Sequence, residues 1–226
     1  MSNSYEEMFN FLEKNVRDFG IYCYPLRSVM TYMLSWAIPN DKAIETICKY
    51  SPIIEVGSGR GYWARQIQCS GGVITCLEVD KDWEHYFGGK REKELVMNAL
   101  LPCAKFCTEE AFMRFKEFVC DCQAQLSVGP FWARTTVTDE KEVYRSVGNF
   151  PGALFLCWPP YDDPMASNCL KAYKGNTLIF IGESKGGCTA NYEFFRMLVD
   201  EWEQIEDIYI PHWPTIYDSM SVYHRK

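Results

Sequence analysis

The sequence predicts an α/β layered fold, and three observations carry that prediction. Short apolar runs alternate with amphipathic helical patterns from Pro52 onward. The first run, Pro52-Ile-Ile-Glu-Val56, leads directly into closely spaced glycines at 57, 59 and 61. The last two runs, 207–210 and 219–223, are separated by a loop too short for a crossover helix. Alternating strands and helices pair in parallel through right-handed crossovers. The terminal pair must instead be an antiparallel hairpin at the sheet edge. At 226 residues, a single domain spanning 1–226 is expected.

The elements follow in chain order. Met8, Phe9, Leu12, Val16 and Phe19 recur at helical steps, and Gly20 is expected to close that helix. A second helix is predicted from about Leu26 to Trp36, and a third starts at Pro39-Asn40 and runs through Ala43, Ile44 and Ile47. These helices make up an N-terminal extension, 1–50. After the strand at 52–56, a helical pattern runs through Trp63, Ala64 and Ile67, followed by a strand at 72–77. Further strands are expected at 132–137, 153–157, 177–181, 207–210 and 219–223, with helices at 165–173 and 191–202. That makes seven strands. The stretch 81–128 is longer than a crossover requires and reads as a helical insertion, with one helix near 108–123.

Composition excludes several classes. Apolar residues make up 47% and charged residues 23%, the balance of a folded globular chain rather than a disordered one. Thirty acidic against 23 basic side chains leave a net charge of −7, which counts against a nucleic-acid partner held by phosphate neutralisation. No apolar run approaches the roughly 20 residues of a membrane span. The start, Met1-Ser-Asn-Ser-Tyr-Glu-Glu, lacks a signal peptide's basic region and apolar stretch, so a cytoplasmic protein is expected. The eleven cysteines have no disulfide-framework spacing. Cys103, Cys107, Cys120 and Cys122 could offer four thiolates to zinc. The helix predicted across 108–123 would point Cys120 and Cys122 in different directions, so free thiols and no metal are expected.

The residues that carry chemistry cluster at strand ends. A buried strand running into Gly57, Gly59 and Gly61 lets a ligand approach the backbone, and the helix that follows offers free N–H groups. In the dinucleotide pattern GxGxxG the third glycine would fall at 62, where Tyr62 stands. The string Glu55-Val-Gly-Ser-Gly-Arg-Gly-Tyr-Trp-Ala64 resembles instead the first motif of class I S-adenosylmethionine-dependent methyltransferases. That resemblance implies S-adenosyl-L-methionine as cofactor, with Glu55 facing its methionine end and Gly57, Ser58, Gly59, Gly61, Tyr62 and Trp63 around it. Glu78 ends the next strand, 17 positions after Gly61, where a carboxylate can accept from both ribose hydroxyls or simply be a solvated acid. Asp80 is the fallback for that role. Asp139 could receive the adenine amino group or act as a helix N-cap.

The string Trp158-Pro159-Pro160-Tyr161 is similar to the (Asp/Asn/Ser)-Pro-Pro-(Tyr/Phe/Trp) motif of methyltransferases acting on exocyclic amino groups. Trp158 departs from it, because an indole cannot accept a hydrogen bond. A Pro-Pro turn with core aromatics is the other reading. With Trp158-Pro-Pro-Tyr-Asp-Asp-Pro-Met-Ala166 and Gly182-Glu-Ser-Lys-Gly-Gly-Cys-Thr-Ala190, the chain looks like a group within that class marked by Trp-Pro-Pro-Tyr. The resemblance spans Asn40 to the C-terminal hairpin. It implies a Rossmann-like, three-layer α/β/α sandwich on a seven-stranded, mostly parallel sheet.

The expected reaction is methyl transfer to a small-molecule or protein acceptor. Trp158, Pro159, Pro160 and Tyr161 would wall the transfer site, and the Trp158 and Tyr161 rings would also favour the sulfonium by cation–π contact. Glu183, after the fifth strand, would act as a base or orient the substrate, unless 182–190 is a plain surface turn. His85, His212 and His224 are isolated in sequence. The alternative is a binding protein that keeps the cofactor site without catalysis.

Overall fold

The computed structural model describes residues 4–79, 96, 98, 100–126 and 131–226. Within them, strands β1 (Ile53–Val56), β2 (Ile74–Glu78), β3 (Thr135–Val137), β4 (Ala153–Cys157), β5 (Thr177–Gly182), β6 (Trp202–Ile208) and β7 (Ser219–Arg225) form one sheet. Its order is β3-β2-β1-β4-β5-β7-β6. The pairs β3–β2, β2–β1, β1–β4 and β4–β5 are parallel, whereas β7 runs antiparallel to both β5 and β6. The seven-stranded, mostly parallel sheet with a C-terminal hairpin is therefore present as the sequence predicts. Strands β1 and β4 lie at its centre and are almost continuously buried, as expected for strands covered on both faces.

Side chains alternate between two apolar layers. Helices α3 (Asp41–Cys48) and α4 (Tyr62–Cys69) cover one face, where Ile44, Ile47, Trp63 and Ile67 meet Ile53, Phe155, Ile179 and Ile181. Helices α6 (Glu140–Asn149), α7 (Met165–Ala172) and α8 (Tyr192–Glu201) cover the other. There Val143, Leu170, Phe194 and Leu198 meet Ile54, Leu154, Leu156 and Phe180. This is the three-layer sandwich.

A third core joins the two parts that lie outside the sandwich pattern. Helices α1 (Ser4–Asn15) and α2 (Phe19–Met33), from the expected extension, pack with α5 (Glu109–Leu126), from the expected insertion, whereas α3 of that extension covers the sheet. Phe9, Leu12, Met30, Met33, Phe115 and Val119 are buried together there, and Tyr62 and Trp213 link them to the sandwich. Residues 81–95, 97, 99, 127 and 128 of the expected insertion lie outside the described residues, and so does Asp80. On α5, Cys120 is exposed and Cys122 buried, so the two thiols do point apart. Among the described residues no group of three or more His, Cys, Asp or Glu side chains could hold a metal ion. No described helix is long and apolar enough to cross a membrane.

Several boundaries differ from the sequence prediction, among them the start of α2, at Phe19 rather than about Leu26. Gly20 does not close the first helix: α1 ends at Asn15, and Gly20 lies in the first turn of α2, which ends at Met33 rather than near Trp36. The turn is made by Asp18, at φ +51°. Strand β6 begins at Trp202, five positions before the expected Asp207. Its exposed residues Glu203, Gln204 and Ile205 sit on the open edge of the sheet, where polar side chains hide the apolar alternation.

Candidate active site

The loop after β1 is shaped by Gly57, Gly59 and Gly61, at φ +74°, +53° and +74°. At Gly61 a Cβ would lie 3.2 Å from the Ala133 backbone nitrogen, so glycine serves both the turn and the close approach. The loop is tied to the end of β2. The amides of Gly57 and Ser58 donate to the Leu77 carbonyl at 3.0 and 3.3 Å. The Gly59 N–H donates to Glu78 Oε2 at 2.5 Å, and the Val79 N–H to Oε1 at 3.0 Å. Glu78 thus stands at the predicted strand end, and it also braces the glycine loop.

Two adjoining cavities open over this loop. The larger, about 320 Å³, is lined on the loop side by Gly57, Gly59, Glu78 and Val79, and opposite by Trp36, Trp158, Pro160, Asp163, Met165 and Glu140. The smaller, about 70 Å³, shares Trp36, Gly57, Gly59 and Cys157 and adds Glu55, Ser58, Arg60, Tyr62 and Trp63. Glu55 is 2% exposed and takes the Cys76 thiol at 3.9 Å. Burial, with Glu78 close by, pushes its carboxyl up to about 8. Arg60 is buried as well, with its guanidinium 5.0 Å from the Tyr32 ring centroid. Tyr62 and Trp63 are mostly core side chains that present only an edge to the smaller cavity.

The wall on the Trp-Pro-Pro-Tyr side is indole. Trp158 stacks on Trp36, with ring centroids 5.4 Å apart at 19°. The Arg27 guanidinium sits 5.2 and 5.6 Å from the two centroids. Trp158 Nε1 donates to Asp218 Oδ2 at 2.7 Å. Pro159 is buried and its carbonyl accepts the Ala190 N–H at 3.0 Å, while Pro160 lines the cavity.

The structure places three of the expected site residues away from the linings of both cavities. Tyr161 is 69% exposed and does not line the cavity, so its ring is no wall of this site. Glu183 is 6% exposed, and both its oxygens are taken by backbone amides. Oε2 accepts from Cys188 at 2.8 Å and Oε1 from Tyr217 at 3.0 Å. It clamps two loops together and lines neither of the two cavities. Asp139 is the N-cap of α6, accepting from the Glu142 N–H at 3.0 Å, and its neighbour Glu140 lines the cavity instead.

Arg27, Trp36, Arg60 and Asp218 were not singled out from the sequence. For Asp218 a signal did exist. An antiparallel β7 brings its first residues to the edge where the parallel strands end, and Ser219 pairs with Gly182. The residue before that strand therefore lands beside the site.

No family model matches the chain, and no curated protein matches it. Solved structures overlap it loosely. An O-methyltransferase of tomaymycin synthesis from Streptomyces achromogenes, in complex with S-adenosylmethionine, is 11% identical over 100% of this chain and 99% of that one, with a TM-score of 0.43. Magnesium protoporphyrin IX methyltransferase from Synechocystis, with bound S-adenosylmethionine, is 8% identical over 90% and 84%, at 0.41. A protein of the NADB-Rossmann superfamily from Streptococcus agalactiae is 12% identical over 84% and 70%, at 0.42. At these identities and TM-scores the overlaps carry no argument. The strand order and the charges around the glycine loop must carry it.

Proposed function

We propose that this chain is a class I S-adenosylmethionine-dependent methyltransferase acting on a small-molecule or protein acceptor. The observation that supports this reading is the charge of the cavity. Glu78, Glu140 and Asp163 line the larger space, and no Lys or Arg lines it among the described residues. A dinucleotide would place its pyrophosphate against those carboxylates, whereas a sulfonium cofactor brings a positive charge to them. The smaller space holds one buried acid and one buried base, Glu55 and Arg60, which match the ammonium and carboxylate ends of an amino acid.

The residues present fit the cofactor. Glu78 would take the ribose hydroxyls, Glu140 the adenine end, and Gly57, Ser58, Gly59 and Gly61 the close backbone approach. The stacked Trp36 and Trp158 rings wall the space, with the Arg27 guanidinium already over both. Bound there, S-adenosylmethionine supplies a methyl group open to in-line displacement by an acceptor. The chain's own contribution is to position the partners and exclude water. Trp158 cannot grip an amine through its side chain, so acceptor recognition by the amino-group motif is not part of this proposal.

The test is thermal stability with and without ligand. S-adenosylhomocysteine at a hundredfold excess over its dissociation constant should add about 2.7 kcal/mol, and NAD should add nothing. Equal stabilisation by NAD would overturn the assignment. Turnover with amine, hydroxyl, thiol or protein acceptors then separates an enzyme from a non-catalytic binding protein.

A further inference from the structure

We infer that Asp218 is a positioning residue of this site, holding the Trp36–Trp158 wall in place through the Trp158 indole N–H. The inference rests on reading the cavity as a cofactor site, although its first readout below does not.

Trp158 has φ +52°, in the left-handed region that a bulky side chain seldom occupies. Such a conformation persists only where the surroundings over-determine it. Two anchors do so. The Trp158 backbone N–H donates to the Ile181 carbonyl at 2.8 Å, and Nε1 donates to Asp218 Oδ2 at 2.7 Å. Asp218 is itself fixed, since the Tyr217 N–H before it is clamped by Glu183 and Ser219 after it pairs with Gly182.

Asp218 is 5% exposed, and its Oδ1 has no hydrogen-bond partner among the described residues. A buried, half-satisfied carboxylate is unfavourable at a plain strand entry. Its one side-chain bond goes to the indole that walls the cavity. His212 and Glu183 are the titratable groups that face it, with the Cys157 thiol and the Tyr5 hydroxyl on the neighbouring elements.

The other half of the wall is held from the N-terminal extension. The Tyr5 hydroxyl donates to the Ser35 carbonyl at 3.2 Å, and Trp132 Nε1 donates to the Met33 carbonyl at 2.8 Å. These bonds pin the chain on both sides of Leu34 and so place Trp36. Segments after α2, after β4 and before β7 thus build one surface.

The experiment uses the full chain with D218A, D218N, W158F and W36F. Stacked indoles give an exciton couplet in circular dichroism, and its loss in both W158F and W36F assigns the signal to this pair. D218A should lose the couplet and raise the Kd for S-adenosylhomocysteine about tenfold. D218N keeps an acceptor for the indole N–H, so it should retain the couplet and a Kd within about twofold of wild type. A couplet and Kd unchanged in D218A, or no rescue by D218N, overturns the role. Should D218A fail to fold, the Trp158 indole N–H resonance, assigned by its absence in W158F, decides on folded protein. It should be protected from exchange in wild type and D218N, and an unprotected resonance overturns the inference. Wild-type chain that binds no S-adenosylhomocysteine would sink the proposed function and leave the couplet to decide on Asp218.

Discussion

The two sides of the cavity are built by different means. The cradle around Gly57, Gly59 and Gly61 comes from one stretch of chain, closed by backbone bonds to Leu77 and a carboxylate from Glu78. The wall opposite takes Trp36, Trp158 and Asp218 from three distant places and joins them by ring stacking and one indole hydrogen bond. A cradle made of backbone keeps its shape through most side-chain changes outside the glycines. A wall made of side chains depends on every anchor behind it. Substitutions should therefore separate the two: cradle changes should act through charge, on stability and on affinity for the proposed cofactor, and wall changes through geometry.

The largest effect is expected at the acid buried beneath the cradle. Glu55 is pushed up to about 8 by burial and by Glu78, from 4.5. Between those values the native state holds a proton that the unfolded chain has released. The stability this gives is complete below about 4.5 and is lost as the pH rises through 8. Glu55→Gln should remove that loss, with a ceiling of roughly 4–5 kcal/mol gained at pH 8.5. Denaturant unfolding at pH 5 and 8.5 measures it. Any slope left in the variant should lie below about pH 6, the value to which burial pushes Asp218, and near pH 8.5, where burial holds the thiols of Cys76, Cys103, Cys122 and Cys169 above their ordinary value. In wild type, a ligand carrying an ammonium group should bind more tightly as the pH rises through 8, and in the variant it should not. An unchanged stability slope in Glu55→Gln would show that the carboxyl is not buried as described.

Next comes the clamp behind the wall. Glu183 accepts the Cys188 and Tyr217 amides on separate oxygens. Gln offers one acceptor and turns an NH₂ toward the other N–H, leaving a donor facing a donor. Glu183→Gln should lose about 1.5–3 kcal/mol of stability, and the Trp36–Trp158 couplet should weaken as Asp218 shifts. A general base would behave in the opposite way, with turnover falling steeply while the melting temperature stayed put.

A smaller loss is expected where the wall meets the N-terminal extension. The Tyr5 hydroxyl accepts from Trp213 Nε1 at 3.1 Å and donates to the Ser35 carbonyl, and the residue is fully buried. Tyr5→Phe strands both partners and should cost about 1–2 kcal/mol. Because Ser35 precedes Trp36, the Kd for S-adenosylhomocysteine should rise with it. A stability loss with no change in Kd would detach the extension from the site.

The same contrast explains what the sequence showed and what it hid. The glycine spacing, the apolar run Ile53–Val56 and the position of Glu78 are local, and each could be read without knowing where any other strand lay. The sheet was legible for a related reason, since β1, β4 and β5 are buried on both faces and show as unbroken apolar runs. Strand β6 was hidden by its polar edge, and Gly20 misled because Asp18 takes the left-handed turn a glycine usually supplies. Glu183 stands at a strand end by the same rule as Glu78. Both accept two backbone amides, and nothing local shows that Glu78 also lines a cavity while Glu183 is buried away from it. Trp36 and Asp218 meet at the site only through α2 packing on the insertion and β7 running antiparallel, which are properties of the assembled fold.

The smallest effect is expected at Tyr161, the residue the motif resemblance singles out for the acceptor. It is 69% exposed and lies outside both cavities, while Trp158 and Pro160 of the same string line the larger one. Its hydroxyl is joined to no other group by a hydrogen bond in the structure's described contacts. Tyr161→Phe should therefore change stability by less than about 0.5 kcal/mol, as for a surface substitution away from any network. The couplet and the Kd for S-adenosylhomocysteine should stay at their wild-type values. With an acceptor in hand, kcat/KM for Tyr161→Phe against Trp158→Phe sets the two halves of the string against each other. A drop confined to Trp158→Phe places acceptor recognition on the indole wall. A drop of about tenfold or more in Tyr161→Phe would mean that the acceptor reaches out of the cavity to the surface, and that the wall described here ends one residue too soon.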